Sequence, residues 1–139
     1  MSDEDLLYVP KDTDLTKIYM KSLENRPVPK NTTRADPTVT FPNKERTVCV
    51  LTSSYILRLG MFKKEKRAIF TLNLNMAADK GAYSGRISES RISVVEEQRG
   101  TLTEILGGRM EEAKTPEISS IVELYKQDMF GLKSALLEF

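Results

Sequence analysis

The sequence predicts an α+β domain: a mostly antiparallel sheet over about residues 38–97, covered by C-terminal helices and preceded by an N-terminal helical arm. Three observations predict it. In Phe70-Thr71-Leu72-Asn73-Leu74-Asn75-Met76 every second residue is apolar, the period of a strand with one dry and one wet face. Such a strand belongs to an antiparallel sheet covered on one side only. Beyond Pro116, the residues Ile118, Val122, Tyr125, Met129, Leu132, Leu136 and Phe139 recur at helical spacing. Between them and the N-terminus, Pro27, Pro29 and Pro37 break any regular element. That divides the chain into an arm, residues 1–37, and a body, residues 38–139.

Taken in order, residues 1–11 are acidic and read as loose. A short helix follows over residues 13–25, with Asp14 as its cap and Leu15, Ile18, Tyr19 and Leu23 on one face. Residues 26–37 read as a linker. Thr38–Phe41 and Thr47–Thr52 are rich in β-branched residues and flank a Pro42-Asn43-Lys44 turn, so they pair as strands. Residues 54–62 fit a strand by alternation or a short helix capped by Ser53. The charged run Lys63 to Lys66 marks a hairpin tip before the Phe70 strand. Residues 77–85 read as loop, and 91–97 as a strand. Thr101-Leu102-Thr103-Glu104 has the spacing of a capping box, which predicts a helix from Leu102 stopped by Gly107-Gly108. The final helix is capped by Thr115 and opened by Pro116, and Gly131 weakens it by about 1 kcal/mol relative to alanine. The expected core is Val48, Val50, Leu57, Phe70, Leu72, Leu74, Ile105, Val122, Met129 and Leu136.

Composition narrows the function. The chain of 139 residues has no histidine, the commonest general base and metal ligand, and its single cysteine, Cys49, builds neither a disulfide nor a metal cage. The adjacent pairs Glu96–Glu97 and Glu111–Glu112 point about 100° apart on a helix and do not converge, and Lys80–Arg86 lacks the Gly-Lys-Ser/Thr ending of a phosphate loop, so the expectation is a non-enzyme without cofactor, metal or small-molecule substrate. No apolar run is long enough to span a bilayer, and the acidic start lacks the pattern of a signal peptide. With one thiol, this places the protein in a reducing compartment, cytoplasmic or nuclear.

Charge is unevenly spread. Residues 1–25 carry a net −3, residues 26–91 a net +8 and residues 92–139 a net −4. Two readings follow. In the first, the C-terminal stripe is wider than one small domain can hide, so Ile118, Val122, Tyr125, Met129, Leu132, Leu136 and Phe139 form an interface. The protein is then a structural or accessory protein that self-associates or docks a protein partner. In the second, Arg58, Lys63, Lys64, Lys66, Arg67, Lys80, Tyr83, Arg86 and Arg91 form a cationic surface with aromatic stacking groups for single-stranded RNA or DNA. Against the second stands a plainer reading, in which the lysines only guard a sheet edge.

Overall fold

The computed structural model describes residues 5–59, 64–77, 81–98, 100–110 and 116–138; the side chains of residues 59, 64, 97, 98, 102, 103, 116 and 117 fall outside that description. Eight strands and two helices alternate as β1 (Leu6–Pro10), α1 (Leu15–Leu23), β2 (Thr32–Arg34), β3 (Thr38–Thr40), β4 (Val48–Leu59), β5 (Lys64–Ala77), β6 (Ala82–Arg86), β7 (Arg91–Gln98), β8 (Thr101–Arg109) and α2 (Pro116–Leu137). The expected α+β architecture with a mostly antiparallel sheet is present.

The long β4–β5 hairpin is the spine, paired from Val48↔Asn75 to Leu59↔Lys64. Each spine strand carries two partners on its outer edge. Along β4, β3 pairs near Leu51 and β2 near Ile56. Along β5, β6 pairs beyond Asn75 and β7 over Lys66–Thr71, and these extend outward to β1 and β8. All pairings are antiparallel. The sheet is therefore wider than residues 38–97, because β1, β2 and β8 join it from outside that span.

One face of the spine is dry. Cys49, Leu51, Tyr55 and Leu57 of β4 meet Ala68, Phe70, Leu72 and Leu74 of β5, and Ile92 and Val94 continue the layer on β7. Both helices lie on this side, where Leu15 and Tyr19 of α1 join Ile121, Val122, Leu124, Tyr125, Met129, Leu132 and Leu136 of α2 in one core cluster. Aromatic geometry knits the layers: Phe70 stacks on Tyr125 at 4.2 Å between centroids and meets Tyr55 edge-on at 5.7 Å. The cover is thus one N-terminal and one C-terminal helix, where the sequence led us to expect C-terminal helices alone.

Local chemistry explains most elements. The Asp14 carboxylate accepts from the Lys17 N–H at 3.2 Å and starts α1. Asn25, with φ of 65°, follows its end. Pro116 opens α2, as its fixed φ favours; the Thr115 cap lies outside the described residues.

Several expectations need correction. The helix from Leu102 is strand β8. Its capping box is a local preference, and the free edge of β7 offers a ladder of backbone hydrogen bonds instead. Ile105 is not core but 47% exposed, at a register break where Val94 pairs Leu106 and Val95 pairs Glu104. Val48 and Val50 are half-buried on the opposite face; Thr47–Thr52 is apolar in both phases, and Tyr55 and Leu57 set the phase that faces the helices. Residues 6–10, read as loose, form β1, residues 32–34 of the proline-rich stretch form β2, and residues 82–86, mostly within the stretch read as loop, form β6.

One buried ion pair ties α2 to the sheet. Arg34 of β2 forks onto Asp128 of α2, Nε to Oδ2 at 2.9 Å and Nη2 to Oδ1 at 2.8 Å. The Tyr55 hydroxyl donates to the same carboxylate at 2.7 Å, and Asp128 is 1% exposed. Arg34 also donates to the carbonyls of Arg26 and Pro27. Arg26 donates to Gln127 O at 2.8 Å, and a Cβ on Gly131 would lie 2.5 Å from its guanidinium. The glycine that weakens α2 is the gap into which Arg26 fits.

Two predictions follow from this core. Asp128→Ala leaves a half-buried guanidinium and a buried phenol without their acceptor, and should cost about 3 kcal/mol in urea unfolding. The second concerns alkali. Burial raises the phenols of Tyr55 and Tyr125, and pushes that of Tyr19 up to about 12. The unfolded chain ionises these phenols near pH 10. The folded state resists, so stability is whole below about pH 10 and falls as pH climbs towards the folded values. Phenolate absorbance should then rise for these three tyrosines together with unfolding, not before it.

Candidate functional site

Two helices on one face leave the other bare. Strand parity sorts its residues. On β4 it carries Val50, Thr52, Ser54, Ile56 and Arg58; on β5, Glu65, Arg67, Ile69, Thr71, Asn73 and Asn75. Thr38 and Thr40 of β3 pair with Thr52 and Val50 and add hydroxyls at the edge. The surface is rich in short hydrogen-bonding side chains, with arginine as its only described cation on the spine and on β7 and β8.

The concentrated charge lies where β7 and β8 leave the spine. Thr71 pairs Arg91, and Arg91 pairs Arg109, so the two exposed arginines are direct cross-strand neighbours. Such neighbours sit with Cα atoms about 5 Å apart, and like charges in that relation destabilise a sheet. Beside them, Ser93 faces Gly107. A Cβ at Gly107 would collide with the Glu104 carboxylate, which instead lies over the glycine and accepts from Ser93 Oγ at 2.8 Å. The missing side chains of Gly107 and Gly108 open a shallow groove of about 440 Å³ lined by Thr71, Arg91, Ser93 and Glu104. Chemically, the groove offers the Arg91 guanidinium and the Thr71 and Ser93 hydroxyls to an anion, with one carboxylate already engaged.

The predicted nucleic-acid residues are dispersed. Arg58 and Arg67 lie on the bare face, Arg58 within 3.6 Å of Glu65. Lys66 has the opposite parity and stands across from Glu96. Tyr83 is buried, its hydroxyl donating to Arg46 O at 2.6 Å, so it offers no stacking face to solvent. Arg86 is bound to Asp5 at 3.1 Å. The Ser88 hydroxyl chiefly, with Arg86 adding to it, holds that carboxyl below the usual range. Lys63 and Lys80 lie outside the described residues, as does the side chain of Lys64. Arg91 belongs to the expected cationic surface, but Arg109 was missed; nothing in the sequence signals that residues eighteen apart share a register position.

The predicted interface fares differently again. Val122, Tyr125, Met129, Leu132 and Leu136 are buried within the single chain, and Ile118 packs against the same cluster. The sheet is broad enough to cover the seam, because β1 and β8 add area outside the expected span of residues 38–97. Phe139 lies outside the described residues. What α2 leaves exposed is Phe130 at 41% and Leu137 at 77%.

No protein family, curated protein or solved structure matches the chain. Among the described residues no cluster of acidic or sulfur side chains has the form of a metal site, and no helix is long and apolar enough to cross a membrane.

Proposed function

We propose that this protein is a non-catalytic binding protein that holds single-stranded nucleic acid on the bare face of its sheet. The observation that carries the reading is Arg91 directly opposite Arg109. A sheet gains nothing by setting two guanidinium groups side by side. A phosphate between them turns the repulsion into two charge-assisted hydrogen bonds. Arg67 and Arg58 give the same face further phosphate contacts. Thr52, Ser54, Thr71 and Asn73 offer donors and acceptors between them, the mixture that positions a backbone without reading one sequence. The net +8 of residues 26–91 supports the same ligand.

A second reading has its own observation. Phe130 and Leu137 are one heptad apart on the outward side of α2, too few to be a coiled-coil seam but enough to anchor a protein contact. This retains the assembly role expected from the sequence and moves it off the buried seam.

Opposite signs separate the first reading from a structural one. Arg109→Thr removes the repulsion and should raise Tm by about 1–2 °C while weakening binding to a labelled oligonucleotide. The double variant Arg91→Gln, Arg109→Gln should lower the slope of log affinity against log salt by about 0.7, the share of the one phosphate held between them. An unchanged slope, or no binding to RNA or DNA at low salt, ends the proposal. For the second reading, Phe130→Glu with Leu137→Glu should leave the fold intact and turn an oligomer into monomer by light scattering. A wild type that is monomeric at all concentrations ends it.

A further inference from the structure

At the far end of the spine, a cleft of about 230 Å³ opens between the Pro10–Thr13 turn and the loop over residues 41–47. It shares no residue with the arginine groove, and its chemistry is different. Val9, Leu15, Cys49 and Tyr83 line it from the buried side, and Val39 and Met76 from the half-buried side. The polar atoms on this inner wall are spoken for. The Tyr83 hydroxyl donates to Arg46 O, and burial raises the Cys49 thiol, so that it stays neutral, although Arg46 opposes the shift. Exposed charges stand at the mouth: Lys11, Lys44 and Arg46, with Asp12 and Glu45 among them. No ion pair joins these five among the described residues.

The walls are built rather than loose. The Lys11 N–H donates to Gly81 O at 2.9 Å, and the Met76 N–H to Thr47 O at 2.7 Å. Asn43 accepts from the Thr47 N–H and donates to its hydroxyl. Both sides of the mouth hold a left-handed residue that is not glycine, Asp12 with φ of 69° and Arg46 with φ of 53°. For arginine this conformation is costly, and such cost gathers at ligand clamps. Here it lays the Arg46 guanidinium over the Phe41 ring, 3.9 Å from its centroid. The stack continues to Tyr83, whose ring is 5.9 Å from that of Phe41.

We propose that this cleft binds a small amphipathic carboxylate, its hydrocarbon body against Cys49, Met76 and Tyr83 and its anionic group at the mouth among Lys11, Lys44 and Arg46. The apolar inner wall selects the body. The excess of cations at the mouth, set on long flexible stems, selects the sign of the head. The volume lies below the roughly 300–1,000 Å³ of pockets for drug-sized ligands, which limits the occupant to a short chain or a single ring.

The single cysteine makes the test specific, because any thiol labelling reports on the inner wall of this cleft. The full chain is treated with a small neutral thiol reagent in the presence of octanoate, benzoate, octanol or octylammonium, and Tm is followed in parallel. At a concentration about four times its Kd, octanoate or benzoate should slow labelling about fivefold, the open fraction being one in five, and should raise Tm. Whichever of the two acts at lower concentration tells a chain from a ring. Octylammonium should do neither, and octanol should act more weakly than octanoate. Arg46→Gly suits the positive φ, so it should keep or raise the stability of the free protein while weakening the carboxylate effect; Lys44→Gln should weaken it as well. The proposal is overturned if both carboxylates leave labelling and Tm unchanged up to about 10 mM, where a Kd of 1 mM fills the site. Equal protection by octylammonium or octanol overturns it too. Should the thiol resist the reagent in the free protein, the Tm series alone decides.

Discussion

The Arg34–Asp128 pair is the constraint from which the rest of the layout follows. It joins residues 94 apart in sequence, with the carboxylate almost wholly buried and the guanidinium mostly so. Burying two charges gains little net stability, since desolvation offsets most of the attraction. What it fixes is orientation. With Asp128 turned inward, the helix must also turn Tyr125, Met129 and Leu132 towards the sheet, and must present Phe130 outward. With Arg34 held on α2, β2 is drawn against the edge of β4, and the two proline-rich flanks follow. The Tyr19–Ser53 and Tyr125–Ser90 hydroxyl pairs satisfy the remaining polar atoms of this layer, and no buried side-chain polar atom is left without a partner among the described residues. Because both helices are committed to one face, the opposite face stays open.

Where the sequence was legible, a single local signal sufficed. The Phe70–Met76 alternation gave β5 and its dry face; Asp14 and the Leu15–Leu23 spacing gave α1; Pro116 and the apolar stripe gave α2. Failure came where the deciding interaction was distant. A stripe shows that a helix must hide one side but not behind what, and the width of the sheet that hides it depends on β1 and β8. A capping box satisfies two backbone groups, whereas the β7–β8 ladder satisfies a whole strand. The run from Val48 to Leu51 is apolar at every position, so its phase is set further along the strand, where Tyr55 reaches Asp128 and Leu57 joins the core.

The basic stretch teaches the same lesson for charge. Four cations within five residues look like a patch when written as a line. Folded as a strand, alternate residues part company: Arg67 goes to the bare face and Lys66 to the helix side, opposite Glu96. The cations that do meet, Arg91 and Arg109, are far apart in sequence and become neighbours only through register. A charge cluster on a sheet is a property of pairing, and sequence proximity is a poor guide to it.

The arginine groove also bears on how this sheet survives in solution. Among the described strands β8 pairs only with β7, so its outer edge carries open backbone donors and acceptors, an invitation to pair with another chain. Three features blunt it: the register break beside Ile105, the weak strand formers Gly107 and Gly108, and the charge of Arg109. The glycines also clear the floor of the groove, and Arg109 pairs with Arg91 of its lining. The break lets Glu104 share the bare face with Ser93 across two unequal strands. Irregularity that keeps the edge from zipping onto a neighbour therefore also shapes a recess for an anion. In a strand of nine residues both demands fall on the same backbone.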